Sequence, residues 1–235
     1  MGISKLEGRY DRNFDTLSHE EQKTLGASTV VVLGLGGLGG GVCEMLARVG
    51  VGHLTMIDGD SFEASNLNRQ LLSQEHLIGK SKAGTAKKRV NAINSEVIAD
   101  AQKEYMDDSN LYDGIKNADV VMDCLDSIDT RFKLQDAANK AGIPIVSGAI
   151  AGVAGQVTTI FPNDKGYALI YGEKSRSQSK GVETRTGNIA YCALFVSALQ
   201  SSECIKILLG RGDILRNKLL IAELWTNTFE VVELI

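Results

Sequence analysis

The sequence predicts an α/β fold: a doubly wound, mostly parallel β-sheet with helices on both faces and antiparallel strands at its C-terminal end. Three observations predict it. Apolar, β-branched runs alternate with segments of helical spacing through the first part of the chain. Glycine is abundant, with 25 in 235 residues, and clusters directly after the first apolar run. The last part of the chain has two short apolar runs separated by the four residues Trp-Thr-Asn-Thr, which is typical of a hairpin.

The first elements form a strand–helix–strand unit. Residues 6–22 are polar and charged and are interpreted as a short helix or arm. Residues 28–33 are continuously apolar and β-branched, as expected of a strand buried on both faces of a parallel sheet. A glycine-rich stretch and a helix ending near residue 49 follow, and the strand 53–57 completes the unit.

The alternation continues to about residue 147, which predicts a parallel sheet with helical crossovers. Helices are expected near residues 82–93, 108–116 and 130–141, and strands near 96–101, 119–124 and 143–147.

The last third of the chain changes character. A strand at 156–161 precedes a polar crossover loop or lid, a long apolar helix spans 187–210, and a hairpin is formed by 218–224 and 229–234. The simplest organisation is a single α/β domain over residues 1–235. Its parts are an N-terminal arm (1–27), a core of alternating strands and helices (28–160), a crossover loop (161–186), and a helix with a C-terminal hairpin (187–235).

Composition excludes several classes of protein. A net charge of −4 gives no general basic field, so nucleic-acid binding is not expected. The longest apolar stretches, residues 29–35 and 189–199, fall short of the roughly 18–20 residues that a membrane span needs. A cytoplasmic protein that does not bind membranes is therefore expected. The four cysteines include no C-x-x-C pair, so neither structural zinc nor a disulfide framework is expected.

A glycine motif between the first strand and the first helix indicates a nucleotide site. The pattern G-x-G-x-x-G lets backbone N–H groups and the positive end of a helix dipole approach phosphates. Asp58 ends the second strand, where an acid binds a ribose hydroxyl. The motif is compatible with either a dinucleotide or ATP. Its glycines are Gly34, Gly36, Gly37 and Gly39.

Cationic and amide side chains beyond Asp58 favour a triphosphate. Asn66, Arg69, Gln70 and Lys82 concentrate hydrogen-bond donors and positive charge beside the glycine motif. An arginine can contact two phosphate oxygens and a lysine acts as a compact charge, so together they offset the charge of a departing pyrophosphate.

These motifs resemble the ThiF/MoeB/HesA adenylyltransferases, the bacterial relatives of ubiquitin-activating enzymes. The resemblance implies Mg·ATP as the nucleotide and a small ubiquitin-like sulfur-carrier protein ending in Gly-Gly as the partner. The carrier's terminal carboxylate attacks the α-phosphate, giving an acyl-adenylate and pyrophosphate. The segments that carry the resemblance are residues 9–12, 34–39, 66–70, 79–82, 123–127, 147–149, 155–157, 198–200 and 203–206.

The resemblance also implies a role for each matching residue. Asp126 would bind Mg²⁺, and Arg12 would reach into the ATP site of a neighbouring subunit, which makes a homodimer the catalytic unit. The catalytic set is Arg12, Arg69, Lys82 and Asp126. The nucleotide-binding set is Gly34, Gly36, Gly37, Gly39, Asp58 for the ribose, Asp60, Asn66, Arg69, Gln70 and Lys82.

Two departures from the family pattern have chemical consequences. Many members bind zinc through two C-x-x-C pairs, and both pairs are absent from this sequence. Members that form a covalent bond to the carrier place a cysteine before the long helix, where this sequence has none, so that step is not expected. Cys192 and Cys204 lie in the apolar helix and are interpreted as small buried hydrophobic residues.

Other functions remain as alternatives. The glycine motif alone permits an NAD-dependent oxidoreductase, and a family member can adenylate another carboxylate or a tRNA base. A scaffolding subunit that binds nucleotide without catalysis is a third alternative, but it has no physical need for Arg12, Arg69, Lys82 and Asp126 together. The residues leave open whether the pathway produces thiamin, molybdopterin, an amino acid or another sulfur compound.

Overall fold

The protein is built on an eight-stranded sheet, seen in a computed structural model that describes residues 8–173 and 186–235. The strands are β1 Thr29–Leu33, β2 His53–Ile57, β3 Ile98–Gln102, β4 Val120–Asp123, β5 Ile145–Ala151, β6 Ala154–Ile160, β7 Lys218–Glu223 and β8 Thr228–Glu233. Their order across the sheet is β3-β2-β1-β4-β5-β6-β7-β8.

Helices cover both faces of this sheet. They are α1 His19–Ala27, α2 Gly39–Val49, α3 Lys82–Ile93, α4 Leu111–Ile115, α5 Ile128–Ala141, α6 Tyr167–Tyr171 and α7 Ala190–Leu209. Two short 3₁₀ turns, Ala64–Asn66 and Glu75–Leu77, lie between β2 and α3.

The strand pairing confirms the predicted fold class. The first five strands pair in parallel, and β5 to β8 continue the sheet in antiparallel pairs. Strands β7 and β8 form the predicted hairpin. Because the carboxyl ends of β1, β2 and β4 meet at one edge, the loops that follow them converge on the same region.

Alternate residues of β1 enter different cores. Val30 and Val32 belong to the core under α2, α3 and α7, whereas Val31 and Leu33 belong to the core under α4, α5 and α6. A strand buried on both faces has no polar side, which explains why the β1 sequence is continuously apolar.

The long helix α7 is a core element. Its length and composition alone would suit a membrane span. In the fold it packs against α2, β4, β5 and β6. Two of its buried polar side chains donate hydrogen bonds to backbone carbonyls of neighbouring segments. Gln200 Nε2 donates to the Asp123 carbonyl at 2.9 Å, and the Ser197 hydroxyl donates to the Leu38 carbonyl at 2.8 Å. These bonds fix the helix beneath the glycine motif.

Some element bounds differ from the sequence-based expectation. The N-terminal helix begins only at His19, where Ser18 and Glu21 form a capping box, and turns precede it. Strand β3 lies about two residues later than expected. Helix α6 falls inside the expected crossover loop, where its Tyr167 packs edge-on against Phe132 of α5. Residues 174–185 of that loop lie outside the described residues.

Candidate active site

A cavity of about 840 Å³ lies at the carboxyl ends of the central strands. Its walls come from the glycine motif after β1, the loops after β2, β3 and β4, and the region where β5 turns into β6. The predicted site residues that line it are Gly34, Gly36, Gly37, Asp58, Asp60, Arg69, Gln70, Lys82 and Asp126.

The glycines of the motif do different work. Gly34 has a φ of +82°, and a Cβ there would lie 2.6 Å from the Cys124 carbonyl, so only glycine fits. Gly36 and Gly37 line the cavity. Gly39 is not among the lining residues, and a Cβ on it would lie 1.9 Å from the Gly34 carbonyl. Gly39 therefore allows α2 to pack closely against the loop, while its neighbours leave backbone exposed to a phosphate.

Asp58 fixes the loop and faces the cavity. Its two carboxylate oxygens accept hydrogen bonds from the backbone N–H groups of Leu35 and Asp60, both at 2.7 Å. Burial raises the pKa of the Asp58 carboxyl, and these hydrogen bonds and Lys82 oppose the rise. Asp58 thus lies directly after β2, at the position predicted for an acid that binds ribose.

Lys82 reaches the cavity from the first residue of α3. Its side chain is buried, and Nζ lies 3.0 Å from Asp60 Oδ2. The other oxygen of Asp60 accepts a hydrogen bond from the Tyr105 hydroxyl at 2.6 Å. Burial opposes ionisation of Asp60, but the bonds from Tyr105 and Lys82 outweigh it and hold the pKa of that carboxyl below its usual value.

Arg69 and Gln70 present polar groups beside the glycine motif. Arg69 donates from Nη1 to the Ser65 carbonyl and to Asn68 Oδ1. Gln70 is 6% exposed, and its Oε1 has no hydrogen-bond partner among residues 8–173 and 186–235. A buried amide oxygen without a partner is costly, so the side chain is suited to contact with a ligand.

Asn66 occupies a different position from its predicted neighbours. It is buried and is absent from the cavity lining. Its Oδ1 accepts a hydrogen bond from the Glu63 N–H at 3.1 Å, which caps the 3₁₀ turn that carries the loop toward Arg69. In this conformation Asn66 shapes the loop, while Arg69 and Gln70 face the cavity.

Asp126 is the carboxylate available to a metal ion. It is exposed to the cavity and makes no hydrogen bond or ion pair with the part of the chain that the structure describes. Asp123 is fully buried and accepts bonds from Ser147 and Tyr167, and Asp129 pairs with Lys133 at 2.8 Å. Mg²⁺ is commonly held by one or two carboxylates together with substrate phosphates, and Asp126 fits that role.

The described ranges contain no cluster of three or more acidic, histidine or cysteine side chains placed to hold a metal. A magnesium site with Asp126 as its carboxylate would depend on oxygens from a bound phosphate to complete the coordination of the ion.

Arg131, which sequence reasoning missed, holds the Asp126 loop in place. Its side chain is 5% exposed and lies near Asp123 in the floor of the cavity. Nη2 donates to the carbonyls of Leu125 at 2.6 Å and Gly148 at 2.7 Å, and Nη1 donates to the Tyr171 hydroxyl at 3.0 Å. The signal that could have identified Arg131 was a cation in the first turn and a half of α5, close in sequence to the predicted metal ligand Asp126.

Arg12 does not lie in the cavity that contains the other predicted catalytic residues. It is exposed and lines a separate groove of about 540 Å³ formed with Leu17 and the end of α7. It is not among the lining residues of the larger cavity, so within one chain the structure does not bring Arg12 to Lys82 and Asp126.

The fold and the cavity are those of a nucleotide-binding α/β protein, with the glycine motif on the cavity wall just before α2. The chain belongs to the ThiF family, whose profile matches residues 10–235. The predicted resemblance is confirmed.

Relatives align with most of this sequence at 31–35% identity. The SAMP-activating enzyme E1 of Haloferax volcanii is 35% identical over 226 residues, covering 95% of this chain and 84% of that protein. The molybdopterin-synthase adenylyltransferase of Escherichia coli is 31% identical over 228 residues, covering 95% and 88%. The adenylyltransferase and sulfurtransferase MOCS3 of Drosophila persimilis is 34% identical over 202 residues, but this chain spans only 45% of its length. The chain is an enzyme of the adenylyltransferase class, as predicted.

Solved structures show the same fold at lower identity. E. coli MccB has a TM-score of 0.83 at 22% identity, with 99% of this chain and 71% of that chain covered. PaaA has a TM-score of 0.80 at 22% identity, with 99% and 75% covered.

Proposed function

We propose that the protein uses ATP to adenylate the C-terminal glycine carboxylate of a small ubiquitin-like sulfur-carrier protein. The observation that carries the proposal is the convergence of Lys82, Arg69 and Asp126 on the cavity that the glycine motif lines. Relatives named as a SAMP-activating enzyme and a molybdopterin-synthase adenylyltransferase support a protein carboxylate as the acceptor.

The reaction is an exchange at the α-phosphate of ATP. A carboxylate oxygen of the carrier forms a bond to the α-phosphorus, the bond from that phosphorus to the β-bridging oxygen breaks, and pyrophosphate leaves. The attacking carboxylate is already ionised at neutral pH, so the step needs no general base.

The chain's own residues position and stabilise this exchange. Backbone N–H groups at the start of α2 contact phosphate oxygens, and Asp58 binds the ribose. Lys82 and Arg69 offset the charge that grows on the leaving pyrophosphate. The ion pair with Asp60 holds the Lys82 ammonium at the cavity wall.

Asp126 would hold Mg²⁺ at this site. The ion, when bound, supplies charge neutralisation on the phosphates. Arg131 fixes the backbone immediately before Asp126 through its bond to the Leu125 carbonyl, and this limits the directions in which the carboxylate can point.

We further propose how the protein assembles and where it works. Arg12 acts on the ATP site of a second copy, so the working unit is a homodimer in the cytoplasm. The exposure of Arg12 on a surface groove is compatible with this role.

The test is isotope exchange between pyrophosphate and ATP, run with candidate carriers that end in Gly-Gly and with matched carriers that lack the last glycine. Exchange is expected only with the intact carrier. Absence of exchange with every such carrier, while another carboxylate or a tRNA substrate supports it, would contradict the proposal.

A matched pair of variants tests the metal site in the same assay. Asp126→Ala is expected to reduce exchange by at least about 10²-fold, because it removes the metal carboxylate. Asp129→Ala, which removes a carboxylate paired with Lys133, is expected to keep it. Equal activity of Asp126→Ala and the wild type would move the metal role to another group.

A further inference from the structure

Tyr105 is an aromatic side chain that is exposed and yet fixed. It is 71% exposed, so burial does not explain its position. Its hydroxyl donates to Asp60 Oδ1 at 2.6 Å, and its carbonyl accepts a hydrogen bond from Asn110 Nδ2 at 3.0 Å. One hydrogen bond thus holds the end of the side chain and another holds the backbone, and both keep Tyr105 at the cavity wall.

The ring lies directly against Gly59. A Cβ at position 59 would lie 2.6–2.7 Å from three atoms of the Tyr105 ring. Gly59 is therefore needed for contact with this aromatic ring and takes no part in the phosphate motif, which lies after β1. The pairing of a bare backbone with an aromatic ring forms a flat wall next to Asp58.

The sheet order places this wall at the end of the cavity away from the phosphates. Strand β3 lies outside β2, and the glycine motif follows β1 on the other side of β2. A nucleotide with its phosphates at the glycine motif and its ribose at Asp58 has its base beyond Asp58. The apolar groups that the segments after β3 and β4 contribute to the cavity lining are Tyr105, Met106, Leu125 and Ile128.

The segment after β3 is held near the loop after β4. Lys133 of α5 pairs with Asp108 at 3.6 Å, and Asn110 also bonds to Glu104 at 2.9 Å. Tyr105 therefore faces the cavity from a segment tied to the helix that follows the Asp126 loop. An aromatic ring in such a place can stack on a base, since every base has a π-face.

We propose that Tyr105 is a nucleotide-binding residue whose ring is the surface against which the nucleobase packs. The proposal rests on the proposed use of ATP. It assigns the ring to the base, and it assigns to the hydroxyl only the secondary work of orienting Asp60 toward Lys82.

The experiment is calorimetric titration of Mg·ATP into the purified wild type and three variants. Tyr105→Ala removes the ring, and Tyr105→Phe keeps the ring while removing the hydroxyl. Tyr112→Ala is the matched control, because Tyr112 lies on α4 with Lys140 over its ring and does not line the cavity. Circular dichroism and thermal unfolding check that each variant is folded.

Tyr105→Ala is expected to raise the Kd for Mg·ATP by about 5- to 100-fold, the range measured for loss of an aromatic–base stack. Tyr105→Phe is expected to stay within about threefold of the wild type, because the stacking surface is kept. Tyr112→Ala is expected to bind like the wild type. An unchanged Kd in Tyr105→Ala overturns the proposal, and so does a loss in Tyr105→Phe as large as in Tyr105→Ala.

Failure of the adenylation proposal gives a different result. A wild type that binds Mg·ATP but shows no carrier-dependent exchange contradicts adenylation of a carrier while the Tyr105 comparison still decides the base contact. A wild type that does not bind Mg·ATP overturns both.

Discussion

Cysteine chemistry in this protein is set by burial. Cys43, Cys124, Cys192 and Cys204 are the four cysteines of the sequence, and all are buried. Burial raises the pKa of the Cys43 thiol to about 12 and raises the pKa of the other three thiols. The thiolate is the nucleophile, so these side chains are poor candidates for a covalent bond to a carrier.

This predicts a simple thiol titration. The native protein is expected to react with a disulfide reagent far more slowly than free cysteine between about pH 7 and pH 9, because a raised pKa keeps each thiol protonated across that range. Unfolding in guanidinium is expected to release all four thiols. The measurement is absorbance of the released chromophore with time. A thiol that reacts in the native protein at the rate of free cysteine would contradict this and would restore a covalent step.

At the scale of single elements, the start of α2 depends on close backbone packing. Gly39 is the first residue of α2 and lies against the Gly34 carbonyl. Gly26 lies in the last turn of α1 with no atom within 4 Å of the position of an added Cβ. The two glycines thus offer a matched pair in helices of the same protein.

Alanine at these two positions is expected to have opposite effects. Gly39→Ala should lower the free energy of unfolding by about 1–3 kcal/mol, because the methyl group overlaps fixed backbone. Gly26→Ala should raise it by about 0.5–1 kcal/mol, because alanine loses less entropy in a helix. Urea denaturation measures both. Equal stability of Gly39→Ala and the wild type would mean that the loop moves freely away from α2, contrary to the observed packing.

The elements that the sequence predicts well are those whose pattern is local. Strand β2 and helix α3 have the bounds expected from their apolar spacing. Helix α6 was not predicted, because its five residues depend on contacts such as Tyr167 with Phe132 rather than on their own periodicity. The predicted bounds of β3 differ from the observed ones because its sequence, with Ile98 exposed at the sheet edge, has a weak alternation of apolar and polar residues.

Prediction of the site follows the same division. Asp58 was predicted from its position after a strand, Lys82 from the cluster of hydrogen-bond donors and cations, and Asp126 from the family resemblance, and all three line one cavity. The orientation of the Asn66 side chain could not be predicted from the sequence, because it depends on a hydrogen bond with the Glu63 N–H inside the same loop. Tyr105 was not predicted, because it follows β3, whose weak apolar pattern did not show where that strand ends. The absence of zinc, the homodimer and the cytoplasmic location stay predictions.

At the scale of the whole molecule, the described residues form a cavity at the glycine motif and a separate groove that contains Arg12. They have different lining residues within one chain. If Arg12 acts in the partner's ATP site, Arg12→Ala should be folded and dimeric and should lose about 10³-fold in carrier-dependent exchange, as for other arginines that act on phosphoryl groups. The measurement is pyrophosphate exchange beside sedimentation.

Mixing subunits distinguishes action across the interface from action within one chain. A heterodimer of Arg12→Ala and Asp126→Ala subunits has one site lacking both groups and one site with both intact. Activity is expected to return on mixing once subunit exchange has been verified. A mixture as inactive as its parents would assign Arg12 to its own chain or make the two sites obligately coupled, and full activity of Arg12→Ala would remove it from the reaction.

The position of β1 has a consequence for how the chain is made. β1 pairs with β2 on one side and with β4 on the other, and the β4 residues follow it by about 90 residues. At the usual pace of translation, roughly 5–20 s pass between synthesis of these two strands. During that interval a growing chain that has already paired β1 with β2 carries an uncovered strand edge in what becomes the middle of the sheet. That edge is where a nascent chain is most open to pairing with the wrong strand.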